Sequence, residues 1–393
     1  MKKIKLLALL FVLPLTLSLT ACNGRIDENT TTPEPISDKY RNYYEIFPYS
    51  FADSNNDGIG DLQGIIDKFD YIKDLGYTGI WLTPIHPSET YHKYDVDDYY
   101  NIDPAFGTIE DYDKLVELCH QNNMAIILDL VLNHSSDSNE WFTKSLYDHA
   151  RNLTNDKYYN YYNIETYTGT LKSGWATASL LGYPNLAYEC QFWTGMPDLN
   201  LQYVLDENDG YLAKEIEDIM KFWLIDRDID GFRLDAVTSY FTANSTKNQQ
   251  FLTWLNAKAK AIKPSAYIVG EGAWGNVGEN EIYYTSGIDS FFNFEDSQSS
   301  GYIAQAIARY DATLLEYAIN KNLSIVSNGG IPAPFIANHD TGRLIGAVAG
   351  NGYPEKIKIA NGFLQMMNGA TFSYYGDEAG MTVQFASGAT KYN

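Results

Sequence analysis

Short apolar segments alternate with helical patterns along most of this chain, and this alternation constrains the fold more than any other feature. Helical periodicity is clearest over Leu62–Leu75, Ile109–Asn122 and Glu207–Asp226. Strands that alternate with helices in this way predict an α/β protein built as a parallel (β/α)8 TIM barrel. The predicted strands are Tyr43–Ser50, Gly79–Ile85, Ala125–Asn133, Ile229–Val237, Ala266–Ala273, Ile288–Phe294, Pro334–Asn338 and Thr371–Tyr375.

A doubly wound open sheet would produce a similar alternation. That fold usually carries a glycine-rich phosphate-binding loop after its first strand, and none follows Tyr43–Ser50. The length of 393 residues also suits a barrel with an insertion, and an apolar content of 45% is ample for its core. We therefore prefer the barrel.

The alternation is interrupted after the third predicted strand by a segment rich in Tyr, Asn, Thr and Gly, without a clear helical period. So long an irregular connection is unusual unless it is functional or forms a small domain of its own. We therefore assign residues 135–200 to an inserted domain over the C-terminal face of the barrel. Residues 39–134 and 201–393 are assigned to the barrel itself.

The fourth predicted strand carries charges where a buried strand should be apolar. Arg233 and Asp235 are two residues apart, so their side chains point to the same face. A buried charge destabilises a fold unless it is paired, and here a cation lies beside an anion. We expect Arg233 to lower the pKa of Asp235 and to keep it ionised, as a nucleophile requires. A structural ion pair would have the same sequence.

Polar residues also end three other predicted strands, which a barrel would gather around one opening. These strand ends are Asp129–His134, Gly270–Trp274 with Glu271, and Ala337–Asp340. Buried carboxylates are destabilising without a purpose, so four such strand ends indicate a functional site.

In this order, the four strand ends resemble the four signature regions of the α-amylase family of glycoside hydrolases (family 13). Tyr43–Phe51, Tyr91–Tyr99 and Tyr374–Glu378 match other hallmarks of that family, so the resemblance runs from about Tyr43 to Met381. Residues 196–200, Met-Pro-Asp-Leu-Asn, resemble the form seen in members intermediate between oligo-1,6-glucosidases and neopullulanases.

The resemblance implies a role for each matching residue. Asp235 matches the nucleophile that forms a covalent glycosyl-enzyme intermediate, Glu271 the general acid/base, and Asp340 the third carboxylate, which binds sugar hydroxyls. Asp129 resembles a structural aspartate of the family. The implied substrate-binding residues, on the non-reducing side of the cleaved bond, are Tyr94, Asp95, His134, Arg233 and His339.

Barrel geometry agrees with this division of roles. A retaining glycosidase needs two carboxyl groups about 5–5.5 Å apart, one ionised and one protonated. Neighbouring strands lie about 4.7–4.9 Å apart, so Asp235 and Glu271 at adjacent strand ends have a suitable spacing. Glu271 lies in an apolar run with anions nearby, and both features should raise its pKa.

The implied substrate is an α-glucan polysaccharide or a maltooligosaccharide. Ala236 resembles the small residue of α-1,4-acting members rather than the valine of α-1,6-specific ones, so we expect an endo-acting α-amylase. Thr238-Ser239 replaces the Lys-His pair of many α-amylases, which leaves an α-glucosidase, an oligo-1,6-glucosidase or a cyclomaltodextrinase as alternatives. A non-catalytic glucan-binding lipoprotein is the alternative from another class.

Residues 53–61 space oxygen-bearing side chains regularly along a short loop. Gly58 lies at the tight turn of this calcium-loop pattern, but Gly64 occupies the position of its final bidentate glutamate. An Asx-rich solvated turn is the alternative, yet hard oxygen ligands favour a structural calcium ion. The expected ligands are Asp53, Asn55, Asp57, Asp61 and the carbonyl of Ile59.

Residues 1–22 have the layout of a bacterial lipoprotein signal peptide, with three lysines before an apolar segment and the lipobox-like Leu19-Thr20-Ala21-Cys22. This predicts export, lipidation of Cys22 and anchoring at the cell surface or envelope, with an ordinary cleaved signal as the alternative. Residues 23–38, rich in Thr, Pro and Glu, are predicted to be a flexible tether.

A net charge of −22 argues against nucleic acid as a partner, and against a membrane contact other than the lipid anchor. Cys119 and Cys190 have no metal-type spacing and are predicted to be buried free thiols. Only about fifteen residues follow Glu378, so we expect the last barrel helix to be truncated and the C-terminal β domain of the family to be absent or truncated.

Overall fold

The computed structural model describes residues 36–272, 277–348 and 354–382, and its main sheet of eight parallel strands forms the predicted (β/α)8 barrel. Cys22, the signal peptide and the tether up to residue 35 lie outside the described residues. In chain order the strands are β1 (Asn42–Ile46), β2 (Gly79–Leu82), β3 (Ala125–Leu130), β4 (Ile164–Thr166), β5 (Trp175–Ala178), β6 (Leu186–Glu189), β7 (Gly231–Leu234), β8 (Tyr267–Gly270), β9 (Ser290–Asn293), β10 (Ile331–Pro334) and β11 (Thr371–Tyr374). Neighbours in the barrel follow the order β10-β9-β8-β7-β3-β2-β1-β11.

Helices connect the strands and cover the outside of the barrel. They are α1 (Pro48–Phe51), α2 (Leu62–Asp67), α3 (Phe69–Asp74), α4 (Ile109–Gln121), α5 (Glu140–Ala150), α6 (Leu201–Asp206), α7 (Tyr211–Lys221), α8 (Ser245–Ile262), α9 (Val277–Tyr284), α10 (Tyr302–Arg309), α11 (Ala312–Ser327), α12 (Leu344–Val348) and α13 (Pro354–Gln365). Among these described helices, none combines the length and apolar character needed to cross a bilayer. No C-terminal β domain occurs among the described residues, which end at Thr382.

Two predicted helices are modified in the structure. The predicted helix Leu62–Leu75 is divided into α2 and α3 at Lys68, where the backbone leaves helical geometry. Its apolar spacing continues across the break, so the sequence pattern could not reveal it. The helix predicted to end at Asp226 does so through a π-helical turn, Phe222–Asp226, but α7 begins only at Tyr211. The third prediction is confirmed by α4.

The seventh barrel strand lies earlier in the chain than predicted: β10 ends at Pro334, where the predicted strand begins. Pro332 turns its carbonyl towards β11, where it accepts a hydrogen bond from Ala370 N at 2.8 Å. The backbone nitrogen of a strand residue points to the same side as its carbonyl, and proline has no N–H to donate. The prolines are tolerated because they face the seam between β10 and β11, the first and last strands in this order, where the barrel closes. An isolated parallel bridge between Phe335 and Phe372 also joins the two sides of this seam.

The segment inserted after β3 is more regular than its sequence suggested. It contains α5, which Asn139 caps by accepting Trp141 N at 2.8 Å, and the antiparallel sheet of β4, β6 and β5. Bridges His134–Asp198 and Tyr162–Leu199 hold its two ends together beside the barrel opening. The sequence shows no clear helical period here, yet the segment forms a helix. Its cap and the helical spacing of Trp141, Phe142 and Leu146 were visible signals.

Aromatic rings fill the interior of the barrel. Tyr43 is fully buried and stacks on Phe372 and Tyr267 with ring centroids 4.9 and 5.6 Å apart. A Cβ atom at Gly79 would lie only 2.5 Å from the Tyr43 ring, so this position needs a glycine. The barrel is thus a packed core, and ligands can bind only at its ends. Cys119 and Cys190 are buried free thiols, as predicted.

Candidate active site

One buried arginine organises the opening at the C-terminal ends of the barrel strands. Arg233 in β7 lies beside its register partner Asp129 in β3, and its side chain is fully buried. Its Nη1 donates to Asp129 Oδ1 at 2.8 Å and to Asp235 Oδ1 at 2.7 Å. The predicted ion pair of Arg233 and Asp235 is therefore confirmed.

The same guanidinium brings Glu271 next to Asp235. Glu271 follows β8, the neighbour of β7, and its Oε2 lies 3.1 Å from Arg233 Nη2. One guanidinium contacts both carboxylates. The distance between the contacting oxygens of Asp235 and Glu271 therefore cannot exceed the sum of the two contact distances and the width of the guanidinium group. The structure therefore brings both carboxylates to one guanidinium, at the neighbouring strand ends where the strand order placed them.

A backbone N–H joins this pair, which the sequence did not indicate. Ala236 N donates to Glu271 Oε2 at 2.8 Å. Ala236 has a φ of 48°, in the left-handed region that residues with a side chain seldom adopt. Such strained residues persist where the surrounding structure enforces them, and they are frequent at functional sites.

Burial determines the direction of the pKa shifts in this cluster. It raises the pKa of Asp235 and of Glu271, against the attraction of Arg233, and raises the pKa of Asp129 to about 7. The raised pKa of Glu271 was predicted. Arg233 does lower the pKa of Asp235, as expected, but burial outweighs it, so the expectation of a lowered pKa for Asp235 is wrong. One guanidinium is divided among three carboxylates, and each of them loses most of its hydration.

Asp340 follows β10 and is the exposed carboxylate of the site. Its side chain is 42% exposed, and its Oδ2 lies 3.1 Å from Nε2 of His339. Desolvation acts to raise the pKa of Asp340, but the charge and hydrogen bond of His339, with help from Arg233, lower it to about 2. Asp340 is therefore an ionised group that a ligand entering the opening can reach.

The Tyr94 hydroxyl links the cluster around Arg233 to His339. It donates to Asp129 Oδ2 at 3.1 Å and lies 2.8 Å from His339 Nε2, while Arg233 donates to it at 3.3 Å. The Tyr94 ring stacks on the imidazole of His339, with centroids 5.6 Å apart.

His134 and Asp95 complete the predicted set on the side of the loop after β2. Burial lowers the pKa of His134 to about 4, so its imidazole is neutral, and its buried Nε2 has no hydrogen-bond partner within the described part of the chain. Asp95 is buried and accepts hydrogen bonds from Ser88 Oγ at 2.6 Å and from Thr90 Oγ1. An unpaired buried nitrogen is destabilising, so His134 Nε2 is available to a ligand hydroxyl.

Two side chains of the site were missed. Glu45 in β1 is 1% exposed and accepts a hydrogen bond from His339 Nδ1 at 2.7 Å. Trp81 in β2 donates from Nε1 to Asp129 Oδ2 at 3.3 Å. Glu45 carried a usable signal, because a carboxylate in a buried apolar strand is the same anomaly that drew attention to Arg233.

The loop at residues 53–61 is a separate feature. Asp53, Asn55 and Asp57 are exposed, and each accepts hydrogen bonds from N–H groups of the loop itself. The Gly58 N–H contributes most to lowering the pKa of Asp53. Asp61 is buried and caps α2 by accepting Gly64 N at 2.6 Å.

This loop fits a cation only in part. The exposed oxygens of Asp53, Asn55 and Asp57, with the Ile59 carbonyl, can hold one, whereas both Asp61 oxygens already accept protein hydrogen bonds. No group of three or more His, Cys, Asp or Glu side chains in the described ranges is arranged to hold a metal ion. Calcium therefore stays a prediction.

The chain is similar to known proteins over the residues that form this site. The catalytic domain of α-amylase, as a family model, matches residues 45–391. Alpha-amylase 3 of Dictyoglomus thermophilum is 38% identical over 347 residues, which are 87% of this chain and 65% of that protein. An oligo-1,6-glucosidase of Heyndrickxia coagulans is 31% identical over 384 residues, covering 86% of this chain and 66% of that protein.

Among solved structures, Eubacterium rectale Amy13B is similar at 42% sequence identity with a TM-score of 0.78. The match covers 88% of this chain and 67% of that one. The chain thus spans slightly less than two thirds of the Dictyoglomus and Heyndrickxia relatives. The family model's match, residues 45–391, includes every site residue described above.

Proposed function

The chain belongs to the α-amylase family of glycoside hydrolases, and we propose that it cleaves α-1,4-glucosidic bonds of starch, maltodextrins or related α-glucans as an endo-acting α-amylase. The observation that carries this proposal is the contact of one guanidinium with both Asp235 and Glu271. A retaining glycosidase requires two adjacent carboxyl groups of unequal protonation, and this contact supports such a pair.

The reaction proceeds in two displacements. Asp235 attacks the anomeric carbon while the bond to the leaving oxygen breaks, and Glu271 gives its proton to that oxygen. Glu271, now ionised, then takes a proton from water, whose oxygen attacks the same carbon and releases Asp235. The Glu271 oxygen Oε2 accepts from Ala236 and faces Arg233, so the transferable proton resides on Oε1.

Arg233 cannot keep all three of the buried carboxylates that it contacts ionised, so one of them can hold the proton that this mechanism needs. Asp235 accepts a short charge-assisted bond from Arg233 Nη1, which favours its ionised form over that of Glu271. Neighbouring carboxylates that cannot all ionise share a proton, as in other acid–base pairs. In this division Asp235 is the anion and Glu271 the acid.

The other predicted residues bind the sugar on the non-reducing side of the bond. Asp340, ionised and exposed, accepts hydrogen bonds from sugar hydroxyls, and these strengthen as the ring flattens. His134 donates from its unpaired Nε2. Tyr94, Asp95, Arg233 and His339 position these groups and the sugar through the contacts described above.

The choice of α-1,4 cleavage rests on the relatives and on Ala236. The relative named as an α-amylase, from Dictyoglomus thermophilum, shares 38% of its aligned residues with this chain, against 31% for the oligo-1,6-glucosidase. The small residue at position 236 supports the same choice, whereas Thr238-Ser239, in place of the Lys-His pair of many α-amylases, leaves a glucosidase as the alternative. An oligo-1,6-glucosidase is therefore the second candidate.

Digestion of amylose and of isomaltose by the full chain tests this proposal. Mixed oligosaccharides from amylose with intact isomaltose are expected, with newly formed ends in the α configuration as retention requires. Glucose from isomaltose would transfer the assignment to the second candidate. If the wild-type chain and Glu271→Gln bound maltooligosaccharides equally and neither released reducing sugar, a non-catalytic glucan-binding lipoprotein would replace both.

We further propose that the loop of residues 53–61 binds a structural calcium ion. The support is its exposed oxygens at alternate positions. A chelator should then lower the melting temperature, since a ligand present at about 100 times its Kd stabilises by about 2.7 kcal/mol. Asp57→Ala should abolish the response to chelator, and an unchanged wild-type melting curve would leave the loop as a hydrogen-bonded turn.

The N-terminal segment is proposed to carry a lipid at Cys22. Its support is the lipobox-like sequence alone. Cells expressing the full chain should retain it in the membrane fraction, and Cys22→Ala should move it to the soluble fraction. Retention of Cys22→Ala would contradict lipidation at this residue.

A further inference from the structure

Glu45 is a buried carboxylate at the barrel opening that no predicted role uses. It lies near the end of β1, is 1% exposed, and reaches across to the segment that follows β10. Its Oε1 accepts from the backbone N–H of His339 at 3.1 Å and from the imidazole Nδ1 at 2.7 Å. Two hydrogen bonds to one oxygen fix both the position of His339 in the chain and the rotation of its ring.

The surroundings of His339 require protons on both ring nitrogens. Glu45 Oε1 accepts the backbone N–H of His339 and therefore presents a lone pair, so Nδ1 must carry a proton to meet it. Burial raises the pKa of Glu45, and the hydrogen bonds and charge of His339 lower it. Nε2 lies 3.1 Å from Asp340 Oδ2 and 2.8 Å from the Tyr94 hydroxyl, which itself donates to Asp129. Nε2 must therefore donate as well, and a ring with two N–H groups is the imidazolium cation.

The electrostatic surroundings of His339 also favour its protonated form. Burial alone would lower the pKa of His339, but the charges and hydrogen bonds of Asp340 and Glu45 raise it well above its ordinary value. The other ionisable groups around His339 and Asp340 are His92, Tyr94, Asp129, Arg233, Asp235 and Glu271.

We propose that Glu45 is a positioning residue, which holds His339 as an imidazolium aimed at Asp340 and so keeps Asp340 ionised and oriented for the sugar. The claim about the sugar rests on the proposed glycosidase function, but the claim about His339 does not. Glu45 is buried beneath the opening and does not contact the reacting atoms, so it acts through His339. His339, between Glu45 and Asp340, is thus a second cation at the opening, beside Arg233.

Glu45→Gln tests the proposal with little change of shape. Its amide oxygen still accepts from Nδ1 and from the backbone, but its negative charge is gone. The pKa of His339 should fall by at least about one unit, the equivalent of about 1.4 kcal/mol between its charged and neutral forms. Nitrogen-15 NMR of histidine-labelled protein measures this directly. The chain has 6 histidines, and His339→Gln identifies the signal.

Turnover provides the second readout. The alkaline limb of the pH profile should move to lower pH in Glu45→Gln, because His339 loses its proton sooner, and kcat at pH 7 should fall about tenfold with a smaller change in KM. Glu45→Asp keeps the negative charge, so its pH profile should lie close to that of the wild type. Asp289→Asn, an acid-to-amide change at the opposite end of the barrel, should leave the pH profile unchanged.

The outcomes separate this proposal from the proposed function. A neutral His339 in the wild-type chain at pH 7 would overturn it, even if Glu45→Gln failed to fold. An unchanged His339 pKa in a folded Glu45→Gln would overturn it as well. If the chain proved inactive on α-glucans while the NMR shift appeared, the glycosidase assignment would fail and the role of Glu45 would stand.

Discussion

The two ends of the barrel use the same residue types in opposite ways. At the N-terminal end, Asp230 lies just before β7 and accepts Ile126 N at 2.8 Å and His120 Nε2 at 3.0 Å. Asp289 repeats the arrangement before β9, accepting Ile268 N at 2.9 Å and Lys260 Nζ at 2.8 Å. Each carboxylate there has a strand N–H and a basic side chain of its own, and both keep contact with solvent.

At the C-terminal end, Asp129, Asp235 and Glu271 share the single guanidinium of Arg233, and all three are buried. Carboxylates at the N-terminal end thus complete the hydrogen bonding of the sheet, whereas these three at the C-terminal end compete for one cation. Such crowding destabilises a fold and is retained where chemistry needs it. The comparison predicts that acids at one end control turnover and acids at the other end control stability.

Asp235→Asn gives the largest expected effect. It removes the nucleophile, so turnover on maltooligosaccharides should fall by at least about 1000-fold while binding persists. Asp230→Asn, at the other end of the same strand, should keep wild-type turnover. Near-normal rates for Asp235→Asn would remove the assigned role, and a comparable loss in Asp230→Asn would remove the distinction between the two ends.

Asp289→Ala should have the opposite profile. It removes the acceptor of Ile268 N and the partner of Lys260, so the free energy of unfolding should fall by about 1–3 kcal/mol at unchanged kcat. Denaturant unfolding measures the first quantity and initial rates the second. Asp70→Ala, which breaks an exposed ion pair with Lys73, is the control and should change stability little. A fall in kcat without loss of stability would contradict the stabilising role.

The smallest expected effect concerns the pH dependence of stability. The hydrogen bond and charge of Asp230 raise the pKa of His120, against burial. The stabilisation by His120 is therefore complete below its ordinary pKa of about 6.5 and is lost as the pH rises through the raised value. The difference in melting temperature between wild type and His120→Gln should be larger at pH 5.5 than at pH 9.

His149 should contribute to stability with the opposite pH dependence. Burial lowers its pKa, so its contribution is present above the ordinary value and is lost as the pH falls. His149→Gln should therefore differ from wild type more at pH 9 than at pH 5.5. Parallel behaviour of the two variants would show that the shifts do not arise from these local contacts.

Most of the barrel and most of the site were predictable from periodicity and from charges in apolar strands. Arg233, Asp235 and Glu271 meet because side-chain alternation and parallel strand order are local rules that place strand ends together. Two departures from the predicted elements occur where the local pattern contains no sign of them. The break at Lys68 interrupts a continuous apolar spacing, and β10 contains prolines that only a position at the seam allows.

The sequence by itself determined which charged residues end the strands and on which side of each strand they lie, because the alternation of side chains depends only on local backbone geometry. The tertiary structure decided how those charges are shared. Arg233 divides its charge among three carboxylates, so burial outweighs it at Asp235 and raises the pKa that the sequence had suggested would fall. Glu45 and His339 are far apart in the chain and meet only when the barrel closes. Hydration and long-range contacts set both results, and neither is encoded in any local pattern of residues.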